Sequence, residues 1–304
     1  MQKKYIYPIT LALFSLCINQ YYGYVGILPI DSFLIFNSGY DLLNGFYPFK
    51  DYWTIKEPFI DLLQALFFKV LGVSWFSYVL HASFFNFLIS LSTYFILRYF
   101  SLSSNLSFLY SLCVAALTYP TAGTPFSDHH TLIFCILSLY LFIITLKTNN
   151  KFFWFILPFL LGFSFLSKQA PTAYLILVIS FLSLIYFFYK KDFNGLVYAI
   201  IGASVFILIF IITFLFLNIK FVDFINQYFL FPQSLGITRL DWVFPFEFKR
   251  IVLRFKVHYL SIFFLVFILI KYSTQKKRGI KIEDVLVALS LVFTCILFIF
   301  HQLM

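Results

Sequence analysis

Few residues in this chain have the types and spacing that do chemistry, and most of them stand at the ends of apolar runs. Asp31 precedes a stretch with near-helical apolar spacing. A carboxylate there either takes a proton from an incoming hydroxyl or caps a helix that starts at Ser32. Lys168 closes another apolar run, where it would meet an anionic phosphate headgroup or simply snorkel toward water. Arg250 and Arg254 are four apart, with Lys249 and Lys256 beside them and Phe246, Phe248, Ile251, Leu253 and Phe255 interleaved. Such a set clamps a phosphate or pyrophosphate or lies as a basic amphipathic helix on anionic lipid, and both readings stay open. Asp128-His129-His130 offers metal-ligand types, but adjacent side chains on a helix diverge, so only two of the three converge easily. Acceptor binding or local hydrogen bonding is the alternative for that triplet. Glu57 and Asp61 share a helix face if Pro58 takes the first turn, where they support Lys56, bind a cation, or serve only as N-terminal acids. The ten-residue spacing of Asp31, Asp41, Asp51 and Asp61 matches no helical or strand face.

The elements that position these residues follow from composition. Of 304 residues, 62% are hydrophobic and 11% charged, against roughly 25% charged in an average soluble protein. With 46 Phe, 21 Tyr and 4 Trp, the chain is neither an ordinary soluble enzyme nor a disordered or heptad-repeat one, and it is expected to be an all-α integral membrane protein. An uncleaved first span covers Tyr5 to Ile18, and further apolar runs lie at about 75–97, 103–119, 129–146, 152–167, 172–189, 195–218, 257–270 and 285–302. That makes nine candidate transmembrane helices in one polytopic domain over 1–304. The net charge of +10 comes from bases that flank these runs, so no nucleic-acid partner is implied. Cys17, Cys113, Cys135 and Cys295 fall inside apolar stretches without zinc or disulfide spacing.

Alternating the loops with the N-terminus in the cytoplasm puts short basic connections inside. Nine of the 12 acids then fall outside. Carboxylates contribute little to topology, so their crowding on one face asks for chemistry or ligand binding. Two outer segments are sizeable. The first, 21–74, is expected to carry two interfacial helices, one around Ile30 to Leu43 and one around Phe59 to Phe68, joined by the aromatic turn Gly45 to Trp53. The second is 219–256.

The order Asp31, Gly39-Tyr40-Asp41-Leu42-Leu43-Asn44-Gly45, Tyr47-Pro48-Phe49-Lys50-Asp51-Tyr52-Trp53 and Lys56-Glu57-Pro58-Phe59 resembles the first periplasmic loop of the GT-C membrane glycosyltransferases. The nearest branch is that of bacterial protein O-mannosyltransferases and aminoarabinose transferases. Gly123-Thr124-Pro125-Phe126-Ser127-Asp128-His129-His130 and Leu166-Ser167-Lys168-Gln169-Ala170-Pro171 are similar to the same branch. The likeness covers roughly residues 1–190. It departs at Asp31-Ser32, where many relatives have an acidic pair, and at Lys56-Glu57-Pro58, where the aminoarabinose branch has Lys-Pro-Pro. Relatives are commonly longer, so the chain is read as C-terminally truncated or split at Met304.

The resemblance implies a polytopic fold at a bacterial inner membrane, a polyprenyl-phosphate sugar donor, an extracytoplasmic acceptor, and a catalytic Asp, here Asp31. Transfer from a phosphate leaving group needs one carboxylate to deprotonate the acceptor and several cations to hold the departing charge. Lys168 and Arg250 or Arg254 are the phosphate-holding candidates, with Lys56 and Asp128 lining the site. Membrane lipids are the other expected partner. No cofactor is assigned, and a divalent metal on Asp128, His129 and His130 is the lesser alternative. Two competing classes are a transporter or flippase and an inactive truncated remnant. Coupled transport places ionisable groups near the midplane in repeated halves, whereas the runs here carry essentially no Asp, Glu, Lys or Arg at depth.

Overall fold

The computed structural model describes residues 3–25, 31–118, 123–240, 248–275 and 281–303. The side chains of 3, 4, 31, 32, 238–240, 250 and 272–275 lie outside the description. Among the described residues the protein is helical throughout, with no strand. Its contacts divide it into two compact units, one formed by 1–137 with 166–168 and the other by 138–165 with 169–304.

Every one of the nine apolar runs is a helix, and two more helices stand in the first long loop. The chain order is α1 (Lys3–Val25), α2 (Asp31–Leu43), α3 (Pro58–Leu71), α4 (Trp75–Tyr99), α5 (Ser104–Thr118), α6 (Ser127–Thr148), α7 (Lys151–Ser167), α8 (Gln169–Lys190), α9 (Asn194–Phe216), α10 (Phe221–Ile225), α11 (Phe231–Leu240), α12 (Lys256–Gln275) and α13 (Ile282–Leu303). Single π-helical turns at Asn226–Leu230 and Lys249–Leu253 complete the second long loop.

Five helices, α4, α6, α8, α9 and α13, are long and apolar enough to cross a membrane. Nine was the expectation. Two of the remaining runs fall short by length: α5 and α7, with 15 and 17 residues, reach only about 22 and 25 Å against a hydrocarbon core of about 30 Å. In α1 the hydropathy is diluted by Asn19, Gln20 and its tyrosines.

In the first unit α1 packs on α4 and α5, and α2 packs on α3. Gly39 lets α2 approach α3, because a Cβ there would fall on Gln64. Between them Ile35, Ile60, Phe68 and Tyr78 form a buried cluster edged by Phe36 and Trp75. The stops are local. Gly45, at positive φ, follows the last turn of α2, where Phe46 N–H donates to Asp41 O. Pro58 opens α3 at a position that tolerates a missing N–H. Gly72 closes it at φ 82°, donating to Phe68 O. Ser74 and Ser77 cap the start of α4 reciprocally.

In the second unit α8 packs on α13, and α13 on α12. The first-turn acids of α13 pair with lysines in the last turns of other helices: Asp284 with Lys147 of α6, and Glu283 with Lys190 of α8. Each carboxylate sits at a helix start and each cation at a helix end, as the backbone dipoles favour. Asp192 accepts from Asn149 and from Asn194 N–H, and these bonds lower its pKa. The three acids expected on the inner face are thus occupied in tying helix ends together.

Candidate functional site

Three stretches far apart in sequence meet in the first unit. Lys56 and Glu57 come from the turn before α3, Ser127 and Asp128 from the first turn of α6, and Ser167 and Lys168 from the end of α7 and just beyond. Lys56 Nζ lies 3.4 Å from Glu57 Oε1 and donates to Ser127 Oγ at 3.4 Å. It also stands over the Phe126 ring, 6.0 Å from its centroid. Glu57 N–H donates to Ser167 O at 3.1 Å, and Lys168 is ion-paired with Asp128. Glu57 holds this position in a left-handed conformation, φ 67°, which costs a non-glycine residue of order 1–3 kcal/mol and is tolerated only where the surroundings impose it. Both lysine side chains keep solvent access, at 29% for Lys56 and 25% for Lys168, so an anion can reach them.

Beneath this mouth α3 carries a polar face, Glu57, Asp61 and Gln64, spaced one and two turns apart. Asp61 is buried and meets Ser38 Oγ at 2.5 Å and Tyr52 OH at 3.2 Å. Burial, then the neighbouring charge of Glu57, pushes its carboxyl well above the usual aspartate range, against the two hydrogen bonds. Glu57 is raised too, chiefly by burial, with Lys56 opposing. Burial and Asp61 together keep the Tyr52 hydroxyl protonated. A protonated Asp61 satisfies every group: Tyr52 donates to Oδ2, the carboxyl proton goes to Ser38 Oγ, and the Ser38 hydroxyl is free for Leu34 O at 3.0 Å.

Protonated Asp61 stabilises the fold, and that contribution is complete below the ordinary value of 3.8 and disappears as pH climbs through the raised one. The midpoint of thermal unfolding is therefore expected to fall as pH rises from about 4 toward the raised value of Asp61. Asp61→Asn, which presents the same donor and acceptor at any pH, should flatten that fall. An unchanged slope would place the titration elsewhere.

A second chain of hydrogen bonds continues from Gln64. His81 Nδ1 lies 2.8 Å from Gln64 Oε1, His81 Nε2 lies 3.1 Å from His130 Nε2, and His130 Nδ1 lies 3.1 Å from Phe126 O. A carbonyl only accepts, so His130 carries its proton on Nδ1 and accepts at Nε2 from His81. Neutral His81 then offers Gln64 a lone pair, which calls for the amide nitrogen. Gln64 Nε2 is otherwise buried without a partner, and a half-turn of the amide resolves both mismatches.

The expected site residues separate as follows. Lys56, Asp128 and Lys168 come together. Asp31 opens α2, and its side chain lies outside the described residues. So does that of Arg250, and Asp241 and Glu247 fall outside altogether. Arg254 belongs to the second unit, its guanidinium 5.7 Å from the centre of the adjoining Phe255 ring. Asp128 turns to Lys168, His130 to His81, and His129 packs on Phe126 at 5.8 Å between ring centres. Among the described residues no three His, Cys, Asp or Glu side chains gather as a metal ion would need. No family model, curated protein or solved structure matches the chain.

Sequence reasoning saw that Glu57 and Asp61 are four apart but missed Gln64, which extends the same face by another turn. Ser38, Tyr52 and the His81–His130 contact carry no signal in sequence spacing.

Proposed function

We propose that this protein is a membrane glycosyltransferase of GT-C type, moving a sugar from a polyprenyl-phosphate donor to an acceptor outside the cytosol. In this reading α1, α5, α7 and α12 join the five long apolar helices to give nine crossings of a bacterial inner membrane, with the N-terminus inside. One observation carries it: Lys56, Asp128 and Lys168, named from sequence as site residues in three separate motifs, converge on one accessible mouth. Two lysines held there by carboxylates suit a phosphate, which exchanges for the carboxylate at each cation.

In the proposed reaction Asp31 takes the proton of the acceptor hydroxyl as that oxygen attacks the anomeric carbon. The bond from that carbon to the phosphate oxygen breaks, and the lipid phosphate leaves with its charge held by Lys168 and Lys56.

The test is transfer from radiolabelled polyprenyl-phosphate sugars in membranes containing the protein. Wild type is expected to transfer, and Lys168→Met to transfer about 100-fold more slowly, the usual cost of removing one charge-stabilising donor. Absence of transfer from every hexosyl and pentosyl donor tried would sink the reading.

A second reading, proton-coupled transport, is favoured by the His81–His130 pair. Both side chains are fully buried within α4 and α6, two of the helices long enough to cross a membrane, where protonatable groups mark conduction paths. Solute uptake lost in His130→Gln, without sugar transfer by wild type, would establish it instead.

A further inference from the structure

At the other end of α4, which is about 37 Å long, the first unit contains a cavity of about 580 Å³ between α1, α4 and α5. It is lined by the aromatic residues Tyr7, Tyr94 and Phe95 and by the polar residues Arg98, Ser103, Ser104 and Asn105. Several of these are braced. Tyr7 OH donates to Asn105 Oδ1 at 2.6 Å, the Tyr7 ring stacks on Phe108 at 4.8 Å, and Arg98 Nη1 donates to Leu102 O. Arg98 forms no ion pair among the described residues, and the sequence explains why none is near: α1, α4 and α5 contain no Asp or Glu.

Among the described residues of the first unit, the charge of Arg98 is answered by the end of its own helix and by Leu102 O. A guanidinium with open donors, beside two hydroxyls and an amide, matches a phosphodiester. The aromatic lining matches the start of an acyl chain, and the volume lies within the range of small-molecule sites. We propose that this cavity binds an anionic glycerophospholipid, its phosphodiester on Arg98 and its headgroup oxygens on Ser103, Ser104 and Asn105. The site is remote from the Lys56–Lys168 mouth and independent of the sugar-transfer reading.

The experiment measures the unfolding midpoint of the detergent-purified full chain with phosphatidylglycerol, phosphatidylcholine or glycerol 3-phosphate at equal concentration. Phosphatidylglycerol is expected to raise the midpoint by about 2 °C or more at tenfold excess over its dissociation constant, and the other two to raise it far less. Arg98→Gln is expected to lose the shift. Ser104→Asp provides a second variant that keeps its fold, since an acid suits the first turn of α5, while repelling the phosphodiester. An undiminished shift in both variants overturns the proposal. So does an equal shift by phosphatidylcholine, which would mean bulk lipid solvation, or by glycerol 3-phosphate, which would mean a site for soluble phosphate esters.

Discussion

Asp31→Asn is expected to slow sugar transfer about 1000-fold, within the range for loss of a general base, while moving the unfolding midpoint little. The contrast separates the two roles open to this residue. The expected helix start was Ser32, with Asp31 as its cap, but α2 includes Asp31 as its first residue, where a carboxylate favours the helix start through its charge even in a protein with no chemistry. Asparagine loses that charge, worth at most about 1 kcal/mol, together with the proton acceptor. Asp31→Glu keeps the charge at the helix start and displaces the acceptor, so it is expected to slow transfer with no loss of stability. If Asp31→Asn membranes transfer at the wild-type rate, Asp31 serves the helix start alone, and the base must be sought among the carboxylates of the Lys56–Lys168 mouth.

Gly123→Ala is expected to destabilise the protein by about 3 kcal/mol, combining left-handed strain with overpacking. Gly123 adopts φ +61°, and a Cβ there would fall on Gly23 N and Asn19 O, both backbone atoms of α1. Backbone inside a helix has no rotamer to change, so the turn or the helix must shift. The same contact is held from the other side by Asn19 Nδ2, which donates to Gly123 O at 3.3 Å, and Asn19 Oδ1 accepts from Asn86 at 2.6 Å. Pushing the turn away therefore strains a buried network linking α1 to α4, and α5 through Ala115 O. Gly236 in α11 is the control, because a Cβ there meets nothing; Gly236→Ala should stabilise by up to about 1 kcal/mol. Unfolding in detergent at a midpoint equal to wild type for Gly123→Ala would show that the close approach does not hold.

This second effect also bears on function. Gly123 begins the Gly123 to His130 segment that delivers Ser127 and Asp128 to the lysines. A variant that folds with the turn displaced is expected to lose transfer along with stability, whereas Asp31→Asn should lose transfer with little change in stability.

The apolar runs were legible because a side chain facing lipid is selected by one property, hydropathy, which survives in the sequence whatever the helix packs against. All nine runs are helices for that reason, as are the two stretches of the first long loop with near-helical apolar spacing. How many cross a membrane was less legible, since that depends on length and on the polar residues each helix can tolerate. Asn19 lowers the hydropathy of α1, yet inside the unit it is fully buried on Asn86.

Lys56, Asp128 and Lys168 were identifiable as charges at the ends of apolar runs, each beside turn residues. Their convergence was not, because it is set by how α3, α6 and the end of α7 pack, through contacts spanning 40 and 71 residues of sequence. The buried groups were less visible still. Asp61 depends on Ser38 and Tyr52, and His81 on Gln64 and His130, and a polar side chain at an apolar position gives no sign of which distant partner satisfies it. Composition determined the solvent and the secondary structure, because both follow from local hydropathy. Only the tertiary structure decided which polar groups share a proton or an ion pair, because each of those bonds exists at a separation that packing alone sets.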